Sequence, residues 1–201
     1  MSARIFFTHN HMVKALKQVN QLYSTKGNTP VSSSLALSTD CSDYLADLVD
    51  YIFTKVLQGS LFLATKRESG RKRILKQDVE SCIFIMFPVM ISEENKVSNF
   101  NIIPSSLIKS HATDILKGVP QVESNEYLNL PSATVEYLEN FIISILFFMF
   151  NKILLRLYPN GSKRQTITEE HVQHVIAQDK DLSLIFPEEA IRFWRELQTK
   201  S

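Results

Sequence analysis

His171 and His174 stand three apart in TEEHVQHVI (168–176). On a helix that spacing puts two imidazoles on neighbouring turns, which is half of a zinc site. Zinc needs three or four ligands, and no cysteine or third histidine is near in sequence. The expectation is therefore one packed and one exposed histidine. THNH (8–11) hints at nuclease-type histidines, but no matching ligand cluster follows it. No Ser/His/Asp array, Gly-rich phosphate loop or pair of catalytic carboxylates can be assembled. The sequence thus predicts no enzyme, no metal or cofactor and no small-molecule substrate. What remains is basic: ESGRKR (68–73) with Lys76 just beyond it, and PNGSKR (159–164). Cationic groups at loops can hold phosphate oxygens, yet such runs taken alone are usually solvated surface.

The elements that carry these runs repeat. A shift of 93 residues, with no gap from 44 to 83, lays Tyr44 and Leu45 on Tyr137 and Leu138. It lays Leu48, Ile52 and Val56 on Phe141, Ile145 and Met149, and Ile74, Val79 and Ile83 on Ile167, Val172 and Ile176. Most of these positions step by three or four, which is helical spacing. Each copy reads as a short helix (11–23, 105–118), a polar loop, a long helix (about 42–66, 134–158), a basic loop and a shorter helix starting near Leu75 or Thr168. Ser38, Thr39, Asp40 or Ser42 suit the start of the first long helix, and Pro131-Ser132 suits the start of the second. Gly and Asn in the basic loops suit helix stops. Phe147, Phe148, Met149 and Phe150 put bulk on every side of the second long helix. Two short flanking helices cannot cover that much apolar surface, so each copy should bury its long helix against the other. The junction at about 88–103 reads as a linker, which divides the chain into 1–95 and 96–201.

Composition agrees with an all-α chain. The 201 residues are 44% apolar, with 5 glycines and 7 prolines. Two cysteines make no disulfide framework, so a reducing compartment is expected. The first residues do not read as a secretory signal. The run FIISILFFMF (141–150) is well short of the roughly 20 apolar residues that span a bilayer, so a buried helix and no membrane is expected. The net charge is +1, so only the local distribution of charge could favour nucleic acid.

Helix, loop, long helix, basic loop, helix is the order of the histone fold, and the residues agree. KALKQV (14–19), DLVDYIFTKV (47–56) and RKRILKQDVESCIFIMFP (71–88) resemble the first, central and last helices of histone 2B, with its second loop. TVEYLENFIISIL (134–146) and KRQTITEEHVQHVIAQDKDLSLIF (163–186) resemble the central helix, second loop and last helix of histone 2A, with its following acidic turn. Two such units in this order resemble the fused histone doublets of marseillevirus-type giant viruses, in a shortened form.

That resemblance implies two tandem histone folds, paired within the chain as a 2B–2A-like dimer. It implies a structural chromatin role: pairing with a histone 3–4-type doublet, nucleosome-like particles, and packaging of double-stranded viral DNA in the virion and the infected cell, in viral factory or nucleus. Crossed central helices would set the first loop of one copy beside the second loop of the other. Arg71, Lys72, Arg73 and Lys76 would then meet the loop near 124–132. Lys163 and Arg164 would meet Ser24, Thr25, Lys26, Ser33 and Ser34, with Lys14 and Lys17 on the first helix between the two sites. Where histone 2A has an arginine before the second-loop isoleucine, this chain has Thr166, so the first copy's loop is expected to grip DNA harder. The C-terminal stretch FPEEAIRFWRELQTKS (186–201) reads as an amphipathic helix. It either packs back on its own fold or presents Ile191 and Trp194, with Phe87, to a partner. A different class stays open: a histone-fold interaction or capping module with weak DNA binding or none.

Overall fold

A computed structural model describes residues 7–25, 35–67, 73–91, 102–119, 129–158, 166–189 and 192, with only the main chain at 23–25 and 90–91. Of the described residues 82% are helical. In chain order the elements are α1 (His9–Thr25), β1 (Ala36–Leu37), α2 (Thr39–Lys66), α3 (Lys76–Met86), a 3-10 turn (Pro88–Ile91), α4 (Ser105–Lys117), α5 (Ser132–Leu157), β2 (Thr166–Ile167), α6 (Glu169–Gln178) and α7 (Lys180–Ile185). The helices expected from the repeat are all present, with the long ones starting two or three residues early.

Local chemistry sets those starts. The Ser38 hydroxyl accepts from the Cys41 amide at 3.2 Å and caps α2. At α5 the carbonyl of Pro131 accepts from the amides of Thr134 and Val135. Proline suits a helix entrance because the amide it lacks would have no partner within the helix. Asp78 reaches back from the first turn of α3 to the Leu75 amide at 2.7 Å. At the equivalent place in α6, His171 Nδ1 accepts from the Thr168 amide at 3.2 Å. The early histidine of the TEEHVQHVI pair is thus a capping group. Its companion His174 is exposed.

Two compact units emerge. One comprises residues 1–7 and 47–145, the other residues 8–46 and 146–201. Each therefore draws elements from both copies of the repeat: α3 and α4 belong to the first unit, α1 and α6 to the second.

In the first unit the core includes Ile52, Val56, Leu57, Val79, Ile108, Leu116, Leu138 and Ile142. Phe7 closes part of it, edge-on to Phe53 at 6.2 Å and to His111 at 5.6 Å. The imidazole of His111 stacks on Phe53 at 5.2 Å and contacts the Asp50 carboxylate. Gly59 allows α3 to approach α2, because a Cβ there would lie 2.5 Å from Cys82 Sγ and 3.3 Å from Met86 Sδ. The stretch expected as a linker is partly structural: Ile102 and Ile103 are buried, and residues 88–91 form a turn. Two adjacent isoleucines gain too much from leaving water to remain in an exposed connection.

In the second unit Met12, Leu16, Leu45, Phe150, Ile153, Val172, Ile176 and Ile185 form the core. Phe147, Phe148, Met149 and Phe150 are all buried, as their succession on one helix requires. Among the described residues α5 is the one helix long and apolar enough to cross a membrane, and 67% of its most apolar window is buried inside the protein. Helix α7 is an addition to the expected order. Asp179 starts it by accepting from the amides of Asp181 and Leu182 at 3.0 and 3.1 Å.

Candidate nucleic-acid interface

Each unit contains one junction of the two copies beside the start of a long helix. In the second unit β1 pairs in parallel with β2, Ala36 opposite Thr166 and Leu37 opposite Ile167. The Ser38 amide continues the ladder by donating to the Ile167 carbonyl at 3.0 Å. This sets the amino ends of α2 and α6 next to the same short bridge. In the first unit Ile74 and Pro131 are the residues related to Ile167 and Ser38 by the repeat. Proline has no amide to donate. Instead the buried hydroxyl of Thr134 donates to the Ile74 carbonyl at 3.3 Å, holding the second loop of one copy at the start of α5.

The two junctions differ in charge. At the first-unit junction Arg73 is exposed and Lys76 is half-exposed, with Nζ 5.3 Å from the centroid of the Tyr137 ring and 3.5 Å from Glu80. Burial, and then the Glu80 charge, push the Tyr137 phenol above its ordinary range, so it stays a neutral platform for that cation. Asp78 does not oppose Arg73 and Lys76, because it is buried and paired with Arg67. The amino ends of α3 and α5 with these two cations make a place where an anion is favoured.

The second-unit junction is more acidic. Glu169 and Glu170 occupy the first turn of α6. The Cys41 thiol is pushed up to about 12, by burial first and by Glu169 second. The Tyr44 phenol is pushed up by burial and by donating to Glu189 at 2.9 Å. Glu189 also pairs with Arg192 at 2.7 Å, which ties the start of the C-terminal stretch to α2 within this unit. Lys14 and Lys17 are exposed on α1.

Further from the junction, Lys152 on α5 reaches Asp181 at 2.6 Å and Asp179 at 3.2 Å, with Phe148 beneath it at 5.3 Å. Burial alone would lower its pKa, but the two carboxylates outweigh it and hold the ammonium above its usual range. The two aspartates of the acidic turn after α6 therefore share a single counter-charge, a lysine on another helix.

Of the sequence-predicted contacts, Arg73, Lys14 and Lys17 are exposed, and Lys76 is exposed and paired with Glu80. Arg71, Lys72, Lys163, Arg164, Lys26, Ser33, Ser34, Ile191 and Trp194 lie outside the described residues, as does most of the loop before α5. The main chain of Ser24 and Thr25 completes α1 rather than entering the loop. Phe87 corrects an expectation. It is 6% exposed and packs on Phe141 with centroids 6.4 Å apart, because the apolar residue that ends α3 is drawn into its own core. Sequence reading missed Thr134, whose role could have been found by noting that Pro131 falls where the other copy has Ser38. Among the described residues no three His, Cys, Asp or Glu side chains converge as a metal site.

No protein-family profile matches the chain, and no curated protein matches it significantly.

Proposed function

We propose that the chain is a structural chromatin protein made of two histone folds paired within one polypeptide, which contacts DNA phosphates without reading sequence. The observation that carries this reading is the doubled junction. The β1–β2 bridge joins loops from opposite copies in one unit, and in the other Thr134, in the first turn of α5, holds the Ile74 loop of the opposite copy. Each junction gathers helix amino ends, which suits backbone amides to phosphate oxygens. On this reading the chain joins a histone 3–4-type doublet, helps form nucleosome-like particles, and acts where viral DNA is packaged. Its role is architectural rather than catalytic.

A second reading, an interaction module with weak DNA binding, is favoured by one feature. Glu169 and Glu170 oppose an anion at the second-unit junction. The two readings differ in salt response. Binding of duplex DNA should weaken linearly on a log–log plot against salt, and Arg73→Ala should reduce the slope by about 0.9, the share of one phosphate contact. An unchanged slope on Arg73→Ala, or binding that ignores salt, contradicts the DNA-contact reading.

A further inference from the structure

The two junctions carry repeat-related tyrosines in opposite company. The 93-residue shift lays Tyr44 on Tyr137, Arg73 on Thr166 and Lys76 on Glu169. At the first-unit junction Lys76 sets its ammonium 5.3 Å from the Tyr137 ring centroid. At the second-unit junction the place of Lys76 is taken by Glu169, and the Tyr44 phenol donates to Glu189 at 2.9 Å. Both cations that suit the first junction to a phosphate are thus replaced in the second, and a further carboxylate has been brought in from the C-terminal stretch.

That carboxylate comes on an arm with a fixed root. Phe186 ends α7 and is buried, so the chain leaves the core three residues before Glu189. Pro187 and Glu188 are exposed. Arg192 pairs with Glu189 at 2.7 Å, half in solvent. Burial first, then the bond and charge of Glu189, and more weakly Glu169, push the Tyr44 phenol up, while Arg192 pulls it down. Helix α2, the first turn of α6 and the arm therefore converge on one phenol, which stays a protonated donor. Tyr44 lies about 7.5 Å along α2 from the amino end of the helix, a separation over which charges act on one another at ordinary salt. A carboxylate held there opposes the anion that the amino ends of α2 and α6 would otherwise favour.

We infer that the arm carrying Glu188, Glu189 and Arg192 is a strap that closes the second-unit junction to DNA phosphates, latched by the Tyr44–Glu189 hydrogen bond. With the strap shut, duplex DNA is held at the first-unit junction alone. With the strap open, Glu188 and Glu189 leave, and backbone amides at the amino ends of α2 and α6 become free to meet a phosphate. A neutral hydroxyl on a charged acceptor makes a bond of the stronger kind, yet losing that one hydroxyl is enough to undo it. DNA that needs the open state binds more weakly by the fraction of chains that are shut. The inference assigns regulation to the proposed DNA contact and rests on that reading.

The test is binding of labelled duplex DNA by the full chain, read by fluorescence anisotropy across a salt series, in wild type, Tyr44→Phe and Glu189→Ala. Tyr44→Phe changes no charge and keeps the ring, so any gain comes from the lost latch. It should tighten binding about threefold or more at low salt and steepen the log–log salt slope by about 0.9, one added phosphate contact. Glu189→Ala should do the same, and the double variant should gain nothing over Glu189→Ala, because both substitutions remove one bond. Trp194, the chain's one tryptophan and five residues beyond Glu189, reports on the strap itself. Its emission should shift when duplex is added to wild type, and should already be shifted in Tyr44→Phe without DNA. Wild-type affinity or wild-type slope in Tyr44→Phe overturns the inference, as does a Trp194 emission that neither DNA nor the substitution moves. Wild-type binding that responds to salt and to Arg73→Ala would then leave the proposed function standing without the strap. If neither wild type nor Tyr44→Phe binds duplex, both fall together.

Discussion

Asp78→Ala is expected to cost about 3–5 kcal/mol, at the lower end of that range because Arg67 keeps some contact with water. The Asp78 side chain is 7% exposed and that of Arg67 is 26% exposed. One carboxylate does two jobs. It neutralises Arg67 at the end of α2, and it caps α3 by accepting the Leu75 amide at 2.7 Å. Alanine removes both and leaves a guanidinium largely out of water without its counter-charge. Asparagine keeps an acceptor for the Leu75 amide and loses only the charge, so Asp78→Asn should fall between wild type and alanine. A cap is worth about 1 kcal/mol, which sets the expected gap between the two variants. Urea denaturation reads this as a shift of midpoint at constant slope. Asparagine as damaging as alanine would show that the capping bond contributes nothing. The same contact holds the Ile74 loop, so Asp78→Ala should also weaken whatever Arg73 and Lys76 bind.

Phe53→Ala should cost about 3–5 kcal/mol, the usual range for deleting a buried phenyl ring. Phe53 is fully buried, stacked on His111 and met edge-on by Phe7. Its ring neighbours come from two stretches far from it in sequence: Phe7, two residues before α1, and His111 on α4 of the second copy. The hole cannot be closed by one side chain turning, because each wall belongs to a different element. Phe53→Leu keeps most of the volume and should lose much less. Domains of this kind are stable by roughly 5–15 kcal/mol in total, so the alanine variant should sit close to unfolding at room temperature. A loss of under 1 kcal/mol on Phe53→Ala would mean the ring is not the keystone of that core.

The order of helices was legible in the sequence because a repeat states it twice. Ile74, Val79 and Ile83 have partners at Ile167, Val172 and Ile176, and all six are buried. Helix starts were legible where they depend on local chemistry, as at Ser38 and Pro131. What was not legible depends on side chains distant in sequence. Lys152 is 27 residues before Asp179, and nothing in its own surroundings marks it as the counter-ion of that acidic turn. Phe87 looked like a terminal apolar residue open to a partner, but its burial is decided by Phe141 on another helix. Ile102 and Ile103 looked like part of a connection because polar residues precede them. Helix α7 carried a usable signal, an aspartate two and three residues ahead of the amides it caps, and it was hidden by the brevity of the helix.

The central claim is that this chain helps wrap DNA as one half of a histone-type assembly. It is tested most directly by nuclease digestion of duplex DNA mixed with a histone 3–4-type doublet, with and without the full chain, at several salt concentrations. The account predicts a protected fragment that lengthens only when both proteins are present and shortens again as salt rises. A protected fragment whose length never changes on adding the chain would contradict it.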